Sequence, residues 1–158
     1  MKRKYTTFLL IVAGILVLDQ VTKGIIAQRF LLHESIEVVP GFFNVTYIRN
    51  TGGAFGLLAG EPSPVRTLLF LSISCVALAI IFHLYSRVPS DKPWLAVGLA
   101  MIFSGASGNL VDRLRFGEVV DFLDFHLGTW HWPAFNVADS AISVGVAIFC
   151  FYLLFKKI

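Results

Sequence analysis

Mostly apolar residues run for about the length of a bilayer four times along this chain. A helix needs roughly 20 mostly apolar residues to cross the hydrocarbon core, and residues 5–27, 65–85, 94–110 and 135–155 meet that length or come close to it. Proline stands just ahead of the last three (Pro62 and Pro64, Pro93, Pro133), where its missing N–H and fixed φ suit a helix start. Between the first two spans the pattern changes. Residues 36–39 and 43–48 are rich in β-branched and aromatic side chains and flank Pro40-Gly41, which predicts a small antiparallel ribbon. A tight, glycine-rich turn follows in Asn50-Thr51-Gly52-Gly53-Ala54-Phe55-Gly56. Residues 111–132 are expected to form a second outer connection, a loop carrying Asp112, Arg113, Arg115, Glu118, Asp121 and Asp124. Trp130 and Trp132 suit the aromatic belt of a membrane surface. The expected fold is an all-α integral membrane protein: four transmembrane helices with a small extracytoplasmic β-ribbon between helices 1 and 2, in one domain over 1–158.

Composition agrees. Hydrophobic residues make up 56% of the 158 and mean hydropathy is +0.76, above the usual apolar share of a water-soluble domain. Lys2, Arg3, Lys4, Arg87, Lys92, Lys156 and Lys157 are seven of the thirteen Lys and Arg residues, and they fall in the tails and one short loop. Positive charge of this kind marks the cytoplasmic side, so both termini are expected there and the long connections outside. The run after Lys4 is too long for the core of a cleaved signal peptide and contains Asp19 and Lys23, so it reads as a retained helix. The net charge of +3 comes with no basic stripe interleaved with aromatics, so a nucleic-acid partner is not expected. Cys75 and Cys150 lie in apolar runs and are expected to be inert packing residues without a disulfide. His33, His83, His126 and His131 are scattered, no cluster has metal-ligand spacing, and no metal or cofactor is expected. His126 and His131 read as residues of a wet loop.

The candidate chemistry lies in the acids. An ionisable side chain in or beside hydrocarbon is costly and usually marks function. Asp121 is flanked by Val119-Val120 and Phe122-Leu123, which would press it against the membrane; Asp139 is expected about one turn inside the fourth helix, too far in to cap it. At a rise of about 1.5 Å per residue, Asp19 lies about 21 Å from the cytoplasmic edge and Asp139 about 6 Å below the outer one. Asp19, Lys23, Asn109, Asp112, Asn136 and Asp139 are thus expected at one depth, in the outer third of the membrane, where Asn109 and Asp112 end the third helix. Plainer roles compete. Asp19 and Lys23 have the i,i+4 spacing of a helical ion pair, Asn136 could be a cap, and Asp139 could pair with Arg113 or Lys23. Arg66 is expected to snorkel and His83 and Tyr85 to be interfacial. The small residues Ser104, Gly105, Ser107 and Gly108 suit helix packing, and Asp124 competes with Asp121 as the functional loop acid.

The blocks that hold these residues resemble those of the bacterial lipoprotein signal peptidases, the type II signal peptidases. They are Asp19-Gln20-Val21-Thr22-Lys23, Arg49-Asn50-Thr51-Gly52-Gly53-Ala54-Phe55, Gly108-Asn109-Leu110-Val111-Asp112-Arg113, Val119-Val120-Asp121-Phe122 and Phe135-Asn136-Val137-Ala138-Asp139-Ser140. Their order on a four-helix chain of this size makes the resemblance specific; Gly53, where the family often has Ala, is the one departure. It implies an aspartic endopeptidase of the bacterial cytoplasmic membrane with Asp121 and Asp139 as catalytic pair. Asn50, Asn109, Arg113 and Asn136 would line the site, and Asp19, Lys23 and Asp112 would support it. The implied partners are a lipid-modified prolipoprotein substrate and membrane lipid, with a single chain sufficient for the site. Three other classes compete: a small proton-coupled membrane transporter, in which such acids would relay protons, a scaffold in which they only pair with Arg and Lys, and a lipid phosphatase. For the last, only Arg49, Arg113 and Arg115 are at hand to bind phosphate.

Overall fold

A computed structural model describes residues 2–53, 57, 58, 60, 61 and 63–155. The side chains of Lys2 and Arg3, the turn residues Ala54, Phe55 and Gly56, Pro62, Lys156 and Lys157 lie outside the described residues. The elements run α1 (Lys2–Arg29), β1 (Ser35–Val39), β2 (Phe43–Asn50), α2 (Pro64–Arg87), α3 (Pro93–Phe116), β3 (Val119–Leu127), β4 (Trp130–His131) and α4 (Val137–Phe155). All four helices are long and apolar enough to cross a membrane. Prolines 64 and 93 open α2 and α3, as their missing N–H allows.

Three boundaries differ from the sequence expectation. First, α3 continues beyond 110 to Phe116, so Asn109 and Asp112 lie inside it, and Asp112, Arg113 and Arg115 sit on helix, not loop. It stops at Gly117, whose φ of +75° suits only glycine and whose N–H still reaches the Arg113 carbonyl at 2.9 Å. Second, α4 begins at Val137, not at 135. The Phe135 backbone is committed to β3: its carbonyl accepts from Phe122 and Leu123, and its N–H donates to Leu123. Asp139 therefore lies in the first turn of α4. Third, Asp121 is on a strand. The ribbon of β1 and β2 is present between α1 and α2, and β3 and β4 extend it to a four-stranded sheet in the order β1-β2-β3-β4. β2 and β3 are antiparallel, with Ile48 opposite Asp121 and Asn44 opposite Asp124, and the register shifts between Val45 and Ile48.

The chain divides into two compact units. One comprises Met1–Asp19, Ile73–Asn109 and Val137–Ile158; the other comprises Gln20–Ser72 and Leu110–Asn136. The first is helical. Its core gathers Phe8, Tyr85, Val88, Leu95, Leu99 and Ala100. Tyr85 is a core residue: it is 1% exposed, its ring lies 4.5 Å from that of Phe8, and its hydroxyl donates to the Lys4 carbonyl at 2.7 Å. The small residues of α3 let α4 approach closely. A Cβ on Gly105 would fall 2.2 Å from the Ala138 carbonyl oxygen, and one on Gly145 would fall 2.5 Å from the Gly98 oxygen. Cys75 and Cys150 are free and exposed on their helices, not packed in an interior, because apolar side chains on a membrane-spanning surface have lipid as solvent.

The second unit carries the sheet. β3 is buried on both faces over Val119–Phe122, whereas β1 is exposed throughout. His126 is buried on β3, not held in a wet loop, and stacks on His131, with ring centroids 4.7 Å apart; His131 itself stays exposed on β4.

Candidate active site

In the helical unit, Asp19 is fully buried against the start of α4. Its Oδ1 accepts the Ala138 N–H at 2.9 Å. That N–H is one of the four that a helix start leaves without an intrahelical acceptor, so Asp19 serves as a cap supplied by another helix. Gly108 makes room for it, since a Cβ there would lie 2.5 Å from Asp19 Oδ2. One residue beyond Ala138, the Asp139 carboxylate accepts from Asn109 Nδ2 at 2.8 Å. The Gly105 and Gly108 face of α3 thus seats the first turn of α4, and Asn109 on the same helix meets its acid.

In the sheet unit, Asp121 is 3% exposed and both its oxygens accept from side-chain amides. Asn136 Nδ2 donates to Oδ1 at 2.7 Å, and Asn50 Nδ2 donates to Oδ2 at 3.0 Å. Asn136, wholly buried, also donates to the Val120 carbonyl at 3.2 Å. The Oδ1 of Asn50 accepts the Gly52 N–H at 2.9 Å, an Asx turn that folds the glycine-rich segment over the end of β2. Arg113 closes that turn from α3: Nη2 donates to the Gly52 carbonyl at 2.9 Å while the guanidinium lies over the Phe70 ring at 5.0 Å.

Beneath this, Lys23 and Asp112 form an ion pair at 2.9 Å, with side chains only 3% and 2% exposed. The other Asp112 contacts are Gln20 Nε2 on Oδ1 at 3.0 Å and the Val120 N–H on Oδ2 at 3.2 Å. Asp112 therefore supports the backbone next to Asp121. A buried ion pair is costly to break by halves, because the remaining charge has no compensation. Lys23→Met is expected to destabilise the protein by about 3–5 kcal/mol, read as a lowered unfolding midpoint in detergent, and Lys23→Met with Asp112→Leu is expected to cost less than that single change.

The nine residues singled out in the sequence thus fall into two groups: Asp19, Asn109 and Asp139 in the helical unit; Lys23, Asn50, Asp112, Arg113, Asp121 and Asn136 in the sheet unit. Asp124 separates from Asp121. Asn44 Nδ2 and His131 Nδ1 hold its carboxylate, at 2.9 Å and 2.8 Å, so it ties β2 and β4 to β3. Gln20, which the sequence reading did not single out, also meets this group by bonding Asp112; a further polar side chain beside Asp19 in a membrane-spanning helix is the signal it offered.

Comparison with known proteins fits this arrangement. The family model described as signal peptidase (SPase) II matches residues 11–155. A lipoprotein signal peptidase of Desulforapulum autotrophicum is 54% identical over 144 residues, covering 91% of this chain and 89% of the relative. One from Syntrophus aciditrophicus is 52% identical over 147 residues, covering 92% and 91%. A solved bacterial membrane enzyme, determined by the in meso method, superposes with a TM-score of 0.85 at 35% identity, covering 97% of this chain and 92% of that one. A match over nearly the full length in sequence and in fold, on four helices able to span a bilayer, places this chain in the signal peptidase II family as a multi-pass membrane peptidase.

Proposed function

We propose that the chain is an aspartic endopeptidase of the bacterial cytoplasmic membrane. It removes the signal peptide from prolipoproteins that carry diacylglycerol on a cysteine, cutting just before that cysteine, with Asp121 and Asp139 as the catalytic pair. The observation that carries the reading is that each acid has its own side-chain amide donors: Asn50 and Asn136 for Asp121, Asn109 for Asp139. Covalent reach adds support. Asn136, bonded to Asp121, is only three residues before Asp139, a span of at most about 11 Å along the chain. The relatives named lipoprotein signal peptidase supply the substrate class.

Two carboxylates a few ångströms apart share one proton. In this reading Asp121, whose two oxygens accept from Asn136 and Asn50, is the base. Asp121 takes a proton from water as the water oxygen attacks the scissile carbonyl carbon. Asp139 gives its proton to the carbonyl oxygen, and a tetrahedral diol forms. As the diol collapses, a proton passes to the leaving nitrogen and the C–N bond breaks, leaving a carboxyl end on the signal peptide and a free amine on the lipidated cysteine. The chemistry requires no acyl-enzyme and no metal. Asn109 and Asn136 hold the acids, Asn50 and Arg113 shape the turn beside them, and Asp19, Lys23 and Asp112 fix the backbones that carry them.

The whole chain works as one membrane-embedded peptidase with both termini cytoplasmic, following its positive charges, and with the site near the outer leaflet. A diacylated cysteine lies there with its peptide bond close to the headgroups. The test is cleavage by purified protein in detergent. Diacylglyceryl-modified precursor is expected to be cut before its cysteine, unlipidated precursor to remain intact, and a chelator to leave the rate unchanged. Equal cleavage of both precursors would remove lipid recognition from the proposal. Strong inhibition by the chelator would replace the two-acid chemistry with a metal.

A further inference from the structure

Val120 immediately precedes Asp121 on β3, and both its peptide groups are taken by side chains. Its N–H donates to Asp112 Oδ2 at 3.2 Å and its carbonyl accepts from Asn136 Nδ2 at 3.2 Å. The donor that frames Asp112 on its other oxygen is Gln20. Nε2 donates to Asp112 Oδ1 at 3.0 Å, and Oε1 accepts from Arg115 Nη1 at 3.3 Å. A carboxylate can turn about its last torsion and offer either oxygen. With Oδ1 engaged by Gln20, Oδ2 is the oxygen left for both the Lys23 ammonium and the Val120 amide. The amide of Gln20 is itself oriented, because Arg115 can only donate and the Asp112 carboxylate, paired with Lys23, accepts.

We infer that Gln20 is a positioning residue for the hydrolytic centre: through Asp112 and the Val120 amide it fixes the backbone that carries the Asp121 carboxylate. This rests on the assignment of Asp121 as base. The Gln20 contacts that carry this role run to Asp112 and Arg115, so its loss is expected to act on the chemical step and to leave substrate affinity unchanged. Glutamate at this position keeps the shape of Gln20 but, when ionised, cannot donate to Asp112. When protonated it donates through its hydroxyl and accepts from Arg115 through its carbonyl, as glutamine does. The sign follows: the handicap of Gln20→Glu is full at alkaline pH and shrinks as pH falls and the new carboxyl takes up its proton. Leucine has no such recovery.

The experiment compares wild type, Gln20→Glu and Gln20→Leu in detergent across pH, reading kcat and KM on lipidated precursor and hydrogen exchange at the Val120 amide, with thermal unfolding of each sample. Loss of a hydrogen bond to a charged group predicts a kcat about tenfold below wild type for both variants at alkaline pH, with KM unchanged and Val120 exchange faster. Toward acid pH the ratio of Gln20→Glu to wild type is expected to recover, in kcat and in exchange alike, while that of Gln20→Leu stays low. A Gln20→Glu ratio that is flat with pH, a change confined to KM, or unaltered Val120 exchange would overturn the inference. Should Gln20→Leu fail to fold, the two pH arms of Gln20→Glu decide alone. If instead Asp121 proves dispensable, the exchange readout still reports on the support and separates that failure from this one.

Discussion

Asp121→Asn and Asp139→Asn are each expected to slow cleavage of lipidated precursor by about 10²–10⁴-fold, the range of a positioned acid or base, and the double variant is expected to be no slower than the slower single. Residues that act as a unit are not additive: once either carboxyl is gone there is no shared proton for the other to use. The two variants should differ in stability. At position 139 an amide oxygen can still accept from Asn109 Nδ2, so that contact is kept. At position 121 both oxygens face amide N–H donors. Asparagine there turns an NH₂ toward one of them and leaves a buried donor without an acceptor, a cost of about 1–3 kcal/mol. Asp124→Asn should keep most of its activity and lose some stability, because Asn44 and His131 hold Asp124 away from this role. Initial rates beside unfolding midpoints separate these outcomes. Normal cleavage by a folded single variant at 121 or 139 would end the two-acid mechanism, and additive losses would mean that the acids act separately.

The largest effect of a change that removes no functional group is expected at Gly105. A Cβ there would stand 2.2 Å from the Ala138 carbonyl oxygen and 2.7 Å from the Ile142 side chain. Backbone cannot yield as a side chain tip does, so α3 and α4 must separate. Overpacking of a tight interface costs about 1–3 kcal/mol, occasionally more, and Gly105→Ala is expected at or beyond the top of that range. Ala138 immediately precedes Asp139 and bonds Asp19, so the same shift should also lower kcat. Gly14→Ala on α1 is the control: nothing lies within 4 Å of the added carbon, and alanine favours the helix by about 1 kcal/mol. Its midpoint should hold or rise. If Gly105→Ala melts with wild type and cleaves at its rate, the close approach of the two helices is not needed.

What the sequence disclosed and what it withheld divide along physical lines. Hydropathy places all four helices, because a bilayer reads only length and apolarity. The end of α3 was read six residues short, since Asp112, Arg113 and Arg115 look like loop residues. They are helical because Lys23, Gln20 and Gly52, all distant in sequence, meet their charges and polar groups. Gly117 was the local sign of the true end. β3 was missed because Val119-Val120-Asp121-Phe122-Leu123-Asp124 does not alternate. The strand is buried on both faces and its acids are satisfied by partners about seventy to eighty residues away or across a short hairpin. The residue types of the site were legible, since carboxylates and amides in an apolar chain are conspicuous. Their partners were not: nothing local in the sequence links Lys23 on α1 to Asp112 on α3, or an Asp19 oxygen to the Ala138 amide at the head of α4.

The pairing of β2 with β3 also orders the assembly of the molecule in time. Asn50 and Asp121 are 71 residues apart, and α2 and α3 lie wholly between them. A spanning helix satisfies its own backbone and can form as soon as it enters the bilayer. The sheet has no such independence: β2 must wait until both intervening helices have crossed and returned the chain to the same side. Asp121 gains its Asn50 donor only then, and its Asn136 donor once the chain has grown fifteen residues further. A nascent copy halted after α2 or α3 would therefore reside in the membrane without β3 and Asp139, so on the two-acid mechanism proposed above the capacity to cut other chains would arrive only late in its own synthesis.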